Sequence, residues 1–176
     1  MPAPGGPDPD HAWKVLALVN EWIRHADAKA GVTLAFTGAL GTMLFNLVQQ
    51  SNRSDLEFSV LVGIACIALL ATAVCCGLTL VPRVDDADEV PEAINRLFYA
   101  SITKNFKRDR VGYAAVLTTL TAVPGDLIED IAHQIHANAR IATVKNEYAR
   151  RAIVSAFGAA TLVAAVAFLV GIRATP

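Results

Sequence analysis

Glu129, His133 and His136 stand at spacings of four and three, which on a helix would place two imidazoles and a carboxylate on one face within reach of a metal ion. No further ligand accompanies them, so a solvated polar face is the stronger reading and no metal is expected. Asp85, Asp86, Asp88 and Glu89 crowd into residues 82–91, but without the spacing of a calcium loop they read as a solvated acidic segment. Cys66, Cys75 and Cys76 all lie in one apolar run. Neighbours on one helix do not readily form a structural disulfide, and no CxxC spacing offers a metal site, so the thiols read as small packing groups. The chain has no GxSxG, phosphate loop, HExxH or glycine-rich dinucleotide turn. No catalytic residue and no cofactor are therefore expected, and the chain reads as something other than an enzyme. A net charge of −1 leaves no nucleic-acid footprint.

What must position any function is apolar. Three uncharged runs, residues 30–48, 58–81 and 152–172, hold 64 of the 176 residues. At about 1.5 Å per residue each spans roughly 28 to 36 Å, against a hydrocarbon core of about 30 Å. The expectation is an all-α, polytopic membrane protein with three transmembrane helices. Thirteen Lys and Arg residues fall before the first run or between the second and third, against two elsewhere, Arg53 and Arg173. That asymmetry places the N-terminus and the central segment in the cytoplasm and the C-terminus outside. Residues 1–9, rich in Pro, Gly and Asp, read as a disordered tail, and nothing resembles a cleaved signal.

Outside the lipid the pattern is also helical. Asp10 is a plausible cap for an amphipathic helix over residues 10–29, with Leu16, Val19, Ile23 and Ala26 on one face, running directly into the first span. From Pro124, Gly125 and Asp126 a second helix shows no breaker until Gly158, inside the third span, and carries Leu127, Ile131, Ile135, Ala139 and Ala142 as its apolar stripe. Two membrane helices thus continue as long cytoplasmic stalks, each the natural partner of the other. Residues 82–151 form a small cytoplasmic domain; within it residues 93–102 fit a strand or a helical turn equally, and residues 111–122 a short helix. In the spans, Ala152, Ala156, Ala160 and Ala164 repeat every four residues, and Gly31, Ala35 and Ala39 do the same, a spacing that lets helices approach closely within or between subunits. With no ionisable side chain inside a span, a proton relay is not expected.

Residues 20–40, NEWIRHADAKAGVTLAFTGAL, resemble the entry into the first membrane helix of the Pycsar membrane effectors, as do NRLFYASI at residues 95–102 and DLIEDIAHQIHANARIATVKNEYARRAI at residues 126–153. The resemblance implies an effector of a bacterial antiphage, abortive-infection system in the cell (inner) membrane. Residues 82–151 become its sensing domain, activated by cyclic CMP or cyclic UMP from a partner pyrimidine cyclase, and the response is loss of membrane integrity. Unlike a protein with a separate cyclic-nucleotide barrel, this chain must build its ligand site in the helical domain. A phosphodiester with a pyrimidine ring needs cations with aromatic or amide groups. Arg24, Lys29, Asn95, Tyr113 and Lys145 are the ligand-binding candidates on that basis, with Asp27 an alternative partner for a lysine. Besides the nucleotide, the expected partners are the lipid bilayer and further copies of the chain. The rival readings are a small membrane enzyme and a passive membrane scaffold.

Overall fold

The computed structural model describes residues 8–51, 55–81 and 96–172, and the tail before Asp8, the acidic segment 82–91 and Asn95 lie outside the described residues. The chain folds into five helices among those residues: α1 (Pro9–Gln50), α2 (Leu56–Leu80), α3 (Tyr99–Asn105), α4 (Arg110–Ala122) and α5 (Pro124–Ile172). No strand occurs among the described residues, and the undecided stretch around residues 93–102 enters α3 at Tyr99. α1 begins slightly earlier than its sequence suggests. Pro9 takes the first helical position, where a missing N–H costs nothing, and the Asp8 carboxylate accepts from the Asp10 backbone N–H at 2.9 Å. α4 is capped by Asp109, whose side chain accepts from Gly112 N–H at 2.8 Å. A Cβ at position 112 would run into that carboxylate, so glycine is what lets the cap sit there.

The chain divides into a polar unit, Met1–Ile23 with Pro82–Thr143, and a membrane unit, Arg24–Val81 with Val144–Pro176. α1, α2 and α5 are long and apolar enough to cross a membrane, and both α1 and α5 contribute to each unit without a break. In the polar unit Leu16, Leu120, Leu127 and Ile131 form the buried core, with Ala12, Leu97 and Ile135 packed against it.

In the membrane unit the buried positions alternate by three and four. Along α1 they are Ala26, Ala30, Thr33, Thr37, Leu40 and Leu44; along α5 they are Lys145, Ala149, Ala152, Ala156, Ala159, Val163 and Val166. This is the repeat of helices packed with a shallow left-handed twist. The core is graded. Ala30, Cys76 and Ala152 pack at one level, while Leu40, Leu44, Phe58, Ala65, Val163 and Val166 fill another. Hydroxyls in the apolar stretches are satisfied locally: Thr37 donates to the Thr33 carbonyl at 2.8 Å and Thr79 to Cys75 at 2.9 Å. Thr72 and Ser155 share a hydroxyl-to-hydroxyl bond of 2.9 Å between α2 and α5, both within reach of the Ala68 carbonyl.

The four-residue alanine repeat holds only in part. Ala152 and Ala156 are buried, Ala160 is half-buried and Ala164 is exposed. At about 100° per residue a spacing of four drifts by roughly 40° each step, whereas alternating three and four stays on the seam. In the first span Gly31, Ala35 and Ala39 are exposed. The expected result is that Ala156→Leu, which overpacks the seam at a cost of about 1–3 kcal/mol, lowers the melting temperature of detergent-solubilised protein, while Ala164→Leu does not. Equal melting of the two variants would place position 156 outside the packed seam.

Candidate functional site

α5 presents Asp130, Gln134 and Asn138 at successive spacings of four, beside its apolar stripe. Each finds a partner within the polar unit. The Arg96 guanidinium donates to Asp130 through Nε at 2.8 Å and a terminal nitrogen at 2.9 Å, a two-pronged pair whose carboxylate is about nine-tenths buried. The hydrogen bond to Asp130 raises the guanidinium pKa above its ordinary value, with burial opposing, so it is a permanent cation. Tyr113 on α4 donates its hydroxyl to the Arg96 carbonyl at 3.2 Å and sets its ring 5.4 Å from that of Phe106. Lower on the seam Gln134 donates to the Asn138 side-chain oxygen at 3.0 Å, and Asn138 donates to that of Asn20, on α1, at 2.8 Å. Cation, carboxylate, amides and a phenol hydroxyl in this small helical unit thus partner one another.

The membrane unit has its own polar contact. Lys145 Nζ donates to Asp27 Oδ1 at 2.6 Å, the lysine side chain being 7% exposed and the aspartate 35%. Like Asn20 and Asn138, these two residues are 118 positions apart. Each pair lies seven residues from the other along both helices, so α1 and α5 meet in the same parallel register in each unit. Further along α5, Glu147 accepts from Arg150 at 3.1 Å and from Arg151 at 2.9 Å, contacts that hold its carboxyl below the ordinary range, Arg150 first among them. Arg151 also lies 5.6 Å from the centre of the Tyr148 ring.

The five ligand candidates are divided between the two units. Tyr113 belongs to the polar unit, half-buried beside Arg96; Arg24 and Lys29 are exposed on α1 in the membrane unit; Lys145 is buried there against Asp27; Asn95 lies outside the described residues. Asp27 entered the sequence analysis only as an alternative partner for a lysine, and Asp130, Gln134, Asn138 and Asn20 were not among its candidates. The signal for the α5 residues was present, since their four-residue spacing puts polar groups on the edge of the apolar stripe. Glu129 and His133 approach to 4.0 Å, both well exposed, and no group of three His, Cys, Asp or Glu side chains converges among the described residues.

Comparison with known proteins adds the family. No solved structure is similar. A Pycsar effector protein domain matches residues 11–172. The Pycsar effector protein PtPycTM of Propioniciclava tarda is 37% identical over 142 residues, covering 81% of this chain and 70% of that protein. With three helices able to cross a bilayer and a domain match over nearly its whole length, the chain is a membrane protein that belongs to the Pycsar effector family.

Proposed function

We propose that this protein is a membrane effector of an antiphage system, silent until a partner pyrimidine cyclase supplies cyclic CMP or cyclic UMP, and then impairing the membrane so that infection aborts. The observation that carries the reading is continuity: α1 and α5 each run unbroken from the polar unit into an apolar span, so a ligand that favours one packing of their polar ends shifts their membrane ends by mass action. The effector acts without catalysis. By residue type alone, Arg24, Lys29 and Lys145 are cations of the kind a phosphodiester takes, and Tyr113 and Asn95 are a ring and an amide of the kind a pyrimidine takes. Association with further copies is supported by Gly31, Ala35 and Ala39, exposed along one face, where a Cβ added at Gly31 would meet nothing.

The inner membrane holds the chain with its N-terminus and polar unit cytoplasmic and its C-terminus outside, as the thirteen-to-two basic asymmetry favours. A reporter active only outside the cytoplasm is expected to work when fused after Pro176 and to stay silent when inserted near Asp88; the reverse pattern overturns the orientation. The function is tested in cells. Expressed alone, the protein is tolerated; expressed with its cyclase and challenged with phage, it depolarises the membrane. Unchanged membrane potential in the second condition refutes the effector reading.

A further inference from the structure

Lys145 occupies a core position of the α5 seam whose next two core residues are alanines, Ala149 and Ala152, and its ammonium is 2.6 Å from Asp27. We infer that this ion pair is the lock that holds the effector silent, and that its release is the step between signal and membrane damage; the inference rests on the effector reading above.

The physical case begins with what a buried pair is good for. Taking the lysine's charge out of water, with Asp27 left 35% exposed at its side, costs much of what their attraction returns, so such a pair adds little net stability compared with apolar side chains of the same size. What it supplies is uniqueness. A one-turn slip or a rotation of α1 against α5 strands the lysine, 7% exposed, among alanines with no carboxylate, a strongly unfavourable state while the seam stays closed. The heptad seam alone does not discriminate so sharply, because alanines at Ala26, Ala30, Ala149, Ala152 and Ala156 present similar surfaces to one another in several registers. The ion pair therefore selects one register.

The same balance makes the pair releasable. An arrangement that hydrates both charges gives up the attraction but recovers the solvation, so closed and open seams lie near each other in free energy and a ligand with modest preference can shift them. A nucleotide that favours another packing of the polar ends of α1 and α5 draws the two helices out of the register that the pair selects, and water takes over both charges as they part. Release frees α1 and α5 to repack at the membrane boundary, next to the level where Ala30, Cys76 and Ala152 meet.

The lock makes a prediction opposite to that of a plain binding residue: its loss activates. The test uses full-length protein in liposomes loaded with a self-quenching dye, with cyclic CMP and cyclic UMP as the added probes. Asp27→Asn is expected to leak without nucleotide, at a rate raised about tenfold or more over the parent. As a second arm, Asp27→Cys with Lys145→Cys is made in a chain whose three native cysteines are replaced by alanine. Oxidised, it is silent with or without nucleotide; reduced, it leaks without any. Identical behaviour of the oxidised and reduced forms, with the disulfide shown by mass spectrometry to have formed, overturns the lock, and so does an Asp27→Asn protein that inserts, stays silent and responds to nucleotide like the parent. If Asp27→Asn does not insert, the cysteine pair decides. A parent that ignores both nucleotides while Asp27→Asn leaks counts against the nucleotide reading and leaves the lock standing.

Discussion

Thr143→Pro is expected to leave the chain inserted and silent but deaf to its signal. Thr143 is exposed on α5 at the last position of the polar unit, so the substitution disturbs no core contact. Proline there removes the backbone N–H that bonds to the Ala139 carbonyl and drives its ring against that carbonyl, at a cost of about 3 kcal/mol or more, and the helix kinks. The Lys145–Asp27 pair lies wholly within the membrane unit and persists, which keeps the protein silent. What fails is transmission along α5. Thr143→Ala is the control, since it loses only the hydroxyl bond to Ala139. Membrane potential in cells making the cyclase reads both variants: the alanine protein is expected to depolarise like the parent and the proline protein not at all. Full depolarisation by Thr143→Pro would show that α5 does not carry the signal.

Arg96→Met should produce the largest loss of stability in the polar unit. The Asp130 side chain is only 10% exposed, and removing its bidentate partner leaves a buried charge uncompensated. Breaking a buried pair in this way costs about 3–5 kcal/mol, and the 32% exposure of Arg96 argues for the lower end. For a unit of this size each kcal/mol moves the midpoint by about 4–8 °C, so a fall of roughly 10 °C or more is expected in thermal unfolding, with earlier protease cleavage around α3 and α4. Adding Asp130→Leu removes the stranded charge and should recover much of the loss. No recovery in the double variant would mean that Arg96 contributes by packing its stem and not by pairing.

The division between what the sequence carries and what it hides follows from the physics of each signal. The two long helices were legible because nothing breaks them: no glycine or proline interrupts residues 11–29, and α5 runs from Pro124 through Gly158 without turning. The spans were legible from length and the absence of charge. The small-residue pattern was read too simply, because a repeat of four catches Ala152 and Ala156 but follows the helix surface away to Ala164, while the seam continues through Ala159 and Val163. Side-chain pairing was the least legible. Nothing local in the sequence says that Lys145 meets Asp27 or that Asn138 meets Asn20, since both contacts bridge 118 residues and depend on the register of two helices. Once one pair is known, however, the other follows from the heptad step of seven. The basic residues proposed as ligand contacts were chosen by type, and type alone does not separate a buried, paired lysine such as Lys145 from an exposed one such as Lys29.

The central claim is that a cyclic pyrimidine nucleotide opens this protein's hold on the membrane, and the most direct measurement is dye release from liposomes containing only the purified full-length chain. Release on adding cyclic CMP or cyclic UMP, with none on adding cyclic AMP, is the predicted result. Intact liposomes in the presence of both pyrimidine nucleotides, with the protein shown to be inserted, would contradict it.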